Sequence, residues 1–399
     1  MKKLMILGGS RYALPVIRAA KKLGIYTITA DYLPDNYAHK YSDEYVNVSI
    51  IDKEATLAVA RGLCIDGITS FACDPGVVTA SYVADKLGLP NVGPYESVCI
   101  LQNKGRFRKF LADNNFTVPV AKSYTRIEEA IADVDIYNWP VIVKPTDAAG
   151  SKGVTRVDDK KDLKKSIEYA LSYSHSDEFI IEDYITQNGF SSDTDSFSID
   201  GKLKFVSFNS QRFDPNAKNP YTPAAYSWPS SITNEHQDEL KNELQRLLDL
   251  LEMRTSIYNI ETREGINGKT YIMEVSPRGG GNRLAECLYY ATGVDMITNI
   301  VKYSVGLPID DINQLPYDGY WAEIILHSDE IGVFDNLWIS DEISSNVVER
   351  DLWISEGTKV GSFESANEAI GTLVLKFDDD EHLQEVLSNQ SDYVKVILK

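Results

Sequence analysis

Thr270–Arg283, which reads TYIMEVSPRGGGNR, holds a carboxylate, an arginine and a glycine-rich turn. Tyr271–Val275 is predicted to be a buried strand, bounded by Gly268 before it and Pro277 after it. A glutamate inside such a strand is costly to bury unless a cation or hydrogen bonds compensate it. Upstream, Tyr258-Asn259-Ile260-Glu261 is a second apolar strand with a second glutamate, and Gly265, Asn267 and Gly268 supply a turn between the two. A hairpin would bring Glu261 and Glu274 onto neighbouring strands. Two facing carboxylates repel one another unless a cation lies between them, and hard oxygen ligands on rigid strands suit Mg²⁺. Arg278 follows at once, and a guanidinium matches a phosphoryl group bidentately. Read alone, the pair fits equally a hairpin whose glutamates face solvent and whose arginine balances local charge.

Composition narrows the class. The chain has 399 residues, 43% hydrophobic and 25% charged, which is ordinary for a globular protein of two or three domains. No basic segment followed by an apolar run opens it, and no apolar stretch is long enough to span a bilayer, so a cytoplasmic location is expected. Four cysteines without CxxC spacing and five histidines without HxH or HExxH argue against a disulfide scaffold, a structural zinc site or a zinc hydrolase. A net charge of −19 argues against a nucleic-acid partner.

From the N-terminus, Lys3–Leu7 is an apolar strand running into Gly8-Gly9-Ser10, followed by an amphipathic helix with Leu14, Ile17, Ala20 and Leu23 on one face and then a strand Tyr26–Ala30 ending at Asp31. The amides of Gly8 and Gly9 could meet an anion, but without a full GxGxxG a structural turn is the better reading. Asp31 reads as a solvated strand end. With a strand over 67–71 and a helix over 77–87, the first ~95 residues form a doubly wound α/β unit.

Asn103 is the expected N-cap of a helix whose buried stripe is Phe107, Phe110 and Leu111. Trp139–Pro145 is an apolar strand ending in Lys144-Pro145, which projects an ammonium at the strand end. Ala148–Val154 then offers two glycines, a serine and a lysine as a backbone cradle for phosphate oxygens, or an ordinary hairpin turn if taken in isolation. Further on, Phe179–Ile185 reads as a strand and residues 190–208 as a hairpin turning at Asp200-Gly201. The segment 211–231 reads as a long loop holding Arg212, and 235–253 as an amphipathic helix with a leucine core face.

Lys104, Lys144-Pro145, the glycine loop, Glu182–Ile185, Glu261 and Glu274-Val-Ser-Pro-Arg278, in this order, resemble the ATP-grasp superfamily of carboxylate–amine ligases, over roughly residues 1–315. The resemblance implies α/β and α+β architecture with three parts. These are a Rossmann-like preceding domain (1–100), a two-subdomain ATP-grasp fold (101–315, with a mobile lid subdomain about 118–187) and a small β-rich C-terminal domain (316–399). It implies ATP and Mg²⁺, with Mn²⁺ the alternative ion, and small-molecule carboxylate and amine partners; a homodimer is common in the family. Lys104 and Lys144 resemble the lysines on the ATP phosphates, Gly150, Ser151, Lys152 and Gly153 the lid loop, and Glu182, Asp183, Tyr184 and Ile185 the adenine-binding hinge strand. Glu261 and Glu274 match the metal carboxylates, and Arg278 the arginine on the reacting phosphoryl group. Where the family usually has Asn, completing the Mg²⁺ shell, this chain has Ser276. Asp193 or Asp195 would meet the ribose.

The expected reaction is ATP-dependent amide formation through an acyl phosphate. Asn282 and Arg283 after the glycines, and Arg212, are the candidate anchors of the acceptor, surface charge being the competing reading for the arginines. Three alternatives stay open at this stage. One is a carboxylase or purine-pathway type ligase of the same family. Another is a nucleotide-binding protein without turnover, and the third is a dinucleotide enzyme resting on Gly8-Gly9.

Overall fold

The computed structural model describes every residue except 149 and 151. The parallel sheet predicted at the N-terminus forms in the order Glu44–Asn47, Tyr26–Asp31, Lys3–Leu7, Gly67–Ser70. Its central strands are buried along nearly their whole length, Lys3–Leu7 with apolar residues and Tyr26–Asp31 with threonines among them, as helices on both faces require. Asp74–Leu87 follows the last strand, with proline in its first turn and Gly88 at φ 66° closing it, a backbone region that favours glycine.

Two four-stranded antiparallel sheets come next. The smaller is ordered Ala121–Tyr124, Phe179–Asp183, Val141–Pro145, Thr155–Val157. The larger is ordered Lys202–Phe205, Ser192–Ile199, Ser256–Glu264, Thr270–Ser276. Its last two strands are the expected hairpin, with Glu261 directly opposite Glu274 and Asn259 opposite Ser276. Helix Asn234–Leu250 covers this sheet with Leu240, Leu244, Leu247 and Leu248, each buried leucine contributing roughly 2 kcal/mol.

The segment 211–231 departs from its reading as a loop. Ser210–Phe213 and Pro223–Trp228 pair with each other, and the second pairs with Tyr320–Leu326. Two prolines and two asparagines lie between these strands and disguise them. The five-stranded sheet they begin continues through Gly371–Phe377 to Val347–Leu352, joining strands from before and after residue 316. A three-stranded sheet, Lys359–Val360, Gly332–Ile339, Val394–Leu398, completes the chain. One hydrophobic core runs through Leu14, Ile17, Phe71, Phe197, Trp228 and Trp321, so the N-terminal sheet and both later sheets share buried surface. No helix among the described residues is long and apolar enough to cross a membrane.

Candidate active site

Register builds the site. Asp193 lies across from Glu261, which lies across from Glu274, and one step along Asp195, Asn259 and Ser276 form a parallel row. Residues two apart on a strand share a face, so all six side chains belong to one face of the sheet. The Asn259 amide ties the rows together, donating to Asp193 Oδ1 at 2.8 Å and to Asp195 Oδ1 at 3.3 Å. Burial, and then the charge of Glu261, push the Asp193 carboxyl up to about 7. Asp195 also rises to about 7 through burial, although Gly280 N–H donates to it at 2.8 Å and Arg278 opposes the shift. Three carboxylates in one row, one of them strained toward its neutral form, make a hard-oxygen set that fits a divalent cation.

Cations flank the rows. Lys104, in the first turn of helix Lys104–Asp113, donates to the Ala148 carbonyl at 2.8 Å and lies 3.7 Å from Glu274. It therefore spans from the glycine loop to the hairpin. Arg278 is buried and grips Asp74 bidentately at 2.8 and 2.7 Å, and this carboxylate raises its already high pKa against the cost of burial. Ser276 Oγ donates to Asp74 Oδ1 at 2.8 Å and accepts from Gln102 Nε2 at 2.7 Å, so both polar partners of the expected metal ligand come from the N-terminal half of the chain.

Lys144 and Glu182 form a third group. Lys144 Nζ is ion-paired with Glu182 Oε1, and Arg108 Nε donates to Glu182 Oε2 at 2.9 Å. Burial alone would raise the Glu182 carboxyl, but Arg108 and Lys144 outweigh it and hold it at about 2. The Glu182 side chain is thus engaged, as are the Asp183 and Tyr184 amides, which donate to Val120 and Pro140 carbonyls. Asp183's carboxylate accepts from Asn138, Tyr184 lies under the Arg156 guanidinium at 4.4 Å, and Ile185 is buried just past the strand. In the loop, Gly150 and Gly153 have φ of 69° and 71°, Lys152 is exposed, and Ser151 lies outside the described residues.

Other expected residues fall elsewhere. Strand alternation turns Gln211 toward Asp193, at 3.2 Å, and sends Arg212 the other way, to Ser227, Gln384 and the face of Phe190. Asn282 is held between Tyr12 and Tyr226 hydroxyls. Arg283 is ion-paired with Glu286 and Glu349. It lines a cavity of about 170 Å³ with Arg11, Arg18, Gly280, Asp351 and Trp353, which reaches the glycine turn from the side of the N-terminal helix. The glycines themselves are small for packing: a Cβ on Gly279 would meet the Phe71 ring at 2.2 Å. The amides of Gly8 and Gly9 donate to the Ala30 carbonyl and to Asp31 Oδ2, both at 2.9 Å, so both are already engaged within the protein. Asp31 is accordingly buried, not a solvated strand end.

Asp74, Gln102, Arg108 and Gln211 join the site without having been singled out. Asp74 carried one local signal, its place in a first helical turn before proline. Arg108 is buried beside Phe107 and Leu111, and Phe110 packs against the same core while only partly covered.

Residues 137–286 match the model of the ATP-grasp domain family. Among curated relatives, the carbamoyl phosphate synthase large chain, C-terminal section, of Aquifex aeolicus is 24% identical over 217 residues, 54% of this chain and 39% of that one. The chain thus spans less than half the length of that relative. An L-amino acid ligase from Bacillus licheniformis superposes with a TM-score of 0.80 at 19% identity, covering 100% of this chain and 99% of its own. Phosphoribosylglycinamide synthetase from Anaerococcus prevotii gives 0.75 at 21% identity, with both chains covered completely. At these identities the superpositions establish the fold.

Proposed function

This chain carries an ATP-grasp domain, and from that premise we propose that it is an ATP-dependent ligase joining a carboxylate to an amine through an acyl phosphate, with release of ADP and phosphate. The observation that carries the reading is the row Asp193–Glu261–Glu274, flanked by Lys104 and Arg278. Glu261 and Glu274 would hold Mg²⁺, with Asp193 beside them. Asp193 therefore belongs to the metal end of the site in this proposal, not to the ribose. Ser276, engaged by Asp74 and Gln102, positions Arg278's partner and is left out of the metal shell. When bound, Mg-ATP supplies the phosphoryl group and the ion that neutralises its charge.

The chain's own residues supply placement and charge, which is most of what phosphoryl transfer requires. Lys104 and Lys144 neutralise phosphate oxygens. Arg278, held planar and immobile by Asp74, faces the charge that develops on the transferring group. Residues 148–153 exclude water from the activated acid. The cavity is lined by Arg11, Arg18 and Arg283 and equally by Glu286, Glu349 and Asp351, which suits an acceptor carrying both charges, and its contact with Gly280 brings that acceptor next to the carboxylate row. The similarity of fold to an L-amino acid ligase agrees with such an acceptor.

The test is ADP and phosphate release from Mg-ATP across a matrix of carboxylates and amines, with Glu274→Gln alongside. Turnover that needs both an acid and an amine and vanishes in the variant is expected. Turnover on bicarbonate alone would replace the proposal with a carboxylase. Tight ATP binding without turnover on any pair would leave a binding protein.

A further inference from the structure

A second cluster of ligating groups lies away from the carboxylate rows. His327 follows strand Tyr320–Leu326, Asp214 follows strand Ser210–Phe213, and Asp329 stands two residues beyond His327. One ligand atom from each lies within 4.8 Å of the other two. The His327 ring is 94% buried and stacks on Phe363 at 4.0 Å. Its Nδ1 sits 2.7 Å from the Ile325 carbonyl, which only accepts, so Nδ1 carries the proton. Its Nε2 then presents a lone pair to Asp214 Oδ2 at 3.2 Å, an atom that also only accepts. Two acceptor atoms then face one another across that contact, which leaves room for a cation between them.

We propose that His327, Asp214 and Asp329 form a binding site for a divalent transition ion of the Zn²⁺ class, separate from the Mg-ATP site. Three features favour an ion there. A carbonyl bonded to the far ring nitrogen is the usual way a ligating histidine is oriented. Asp214 Oδ1 is already fixed by Asn216 N–H at 2.8 Å, which leaves Oδ2 directed at the cluster. Asp329 brings a second carboxylate to the same place. One imidazole and two carboxylates are a suitable three-ligand set for Zn²⁺, and exposed Asp329 leaves the fourth position toward water. A tetrahedral ion with ligands about 2.1 Å away holds them roughly 3.4 Å apart, a spacing that His327 Nε2 and Asp214 Oδ2, 3.2 Å apart, already match.

The site adds to contacts already made there. Residues 214–222 reach the C-terminal part of the chain through Asn219 N–H to Phe363 O, Asn219 and Thr222 side chains to Glu364 O, and Lys218 to Glu364. An ion held by Asp214 and His327 fastens this loop to the end of the five-stranded sheet.

The experiment is isothermal titration of the chelator-treated full chain with ZnCl₂ in the absence of nucleotide, repeated with Co²⁺ for its tetrahedral absorption bands. Wild type is expected to bind one equivalent, with Asp329→Asn weakening it at least about tenfold. His327→Gln should abolish it and Glu274→Gln should leave it unchanged. Because Asp329 is exposed, its variant will fold even if His327→Gln does not. No binding by wild type, or equal binding by wild type and Asp329→Asn, would overturn the site. Loss in Glu274→Gln would do the same by placing the ion at the carboxylate row.

Discussion

Glu182→Gln should destabilise the protein by about 3 kcal/mol at pH 7. The carboxyl is 2% exposed and its pKa is lowered from 4.5 to about 2, some 2.5 units at 1.36 kcal/mol each. A glutamine keeps the shape but loses the charge that Arg108 and Lys144 are arranged around, leaving two buried cations without their anion. The sign with pH follows from linkage. A folded pKa below the unfolded one contributes stability that is complete above about 4.5 and is lost as pH falls toward 2. The gap between wild type and variant should therefore be full at pH 7 and close steadily over that acid window. Urea unfolding followed by tryptophan fluorescence, at pH 7 and at steps down to pH 3, measures it. An Arg108→Met, Glu182→Gln cycle should return a coupling of similar size, since the two side chains touch. A gap under about 1 kcal/mol at pH 7, or one that stays constant with acid, would refute the argument that this buried charge group holds the smaller sheet to helix Lys104–Asp113.

Gly280→Ala places a Cβ 2.7 Å from Leu284 Cδ1, 2.8 Å from Asn259 Nδ2 and 2.9 Å from Asp195 Oδ1, and should cost roughly 1–3 kcal/mol in thermal unfolding while lowering turnover. An unchanged transition would show that the turn can yield. Arg278→Lys keeps the charge but loses the two-pronged grip on Asp74, and should reduce kcat about 10²-fold or more with ATP affinity little changed, measured by steady-state kinetics. Asp195 works in the opposite sense to Glu182. Its pKa rises from 3.8 to about 7, so the folded state loses stability as pH climbs through that interval, by up to about 4 kcal/mol. Asp195→Asn should thus be more stable than wild type at pH 8 and not at pH 4, while turnover disappears; a variant less stable at both values would count against the reading.

What could be read from the chain was whatever depends on neighbours in sequence. The Glu261–Glu274 hairpin was legible because glycines mark its turn between two apolar runs, whereas its register, shifted by a bulge after Glu261, was not. Asn103 as N-cap and the leucine face of helix Asn234–Leu250 were legible for the same reason. Asp74 was not, because its partners Ser276 and Arg278 are 202 and 204 residues away and nothing local to either end records the pairing. Arg108 was passed over because a charged residue between Phe107 and Lys109 reads as surface, whereas Glu182 makes it part of the core. Arg212 failed for a subtler reason. In a loop it could reach the site, but in a strand the alternation of faces decides, and it gives Gln211 to Asp193 and Arg212 to Gln384.

Each cation of the proposed phosphate site already has an anionic or carbonyl partner in the protein, and these pairs differ in how readily they open. Arg278–Asp74 is bidentate and buried, and Lys144–Glu182 is braced by Arg108. Lys104–Glu274 is the loose one, at 3.7 Å with Lys104 20% and Glu274 36% exposed. A surface pair of that length contributes about 1 kcal/mol at most. A nucleotide phosphate arriving with its metal ion offers each member a better partner, the phosphate to Lys104 and the ion to Glu274, so the exchange leaves no charge stranded. The two rigid pairs then serve as fixed walls and the weak one as the point of entry. The second glutamate is the more exposed of the two acids, while Asp195, in the neighbouring row, is closed over by Gly280.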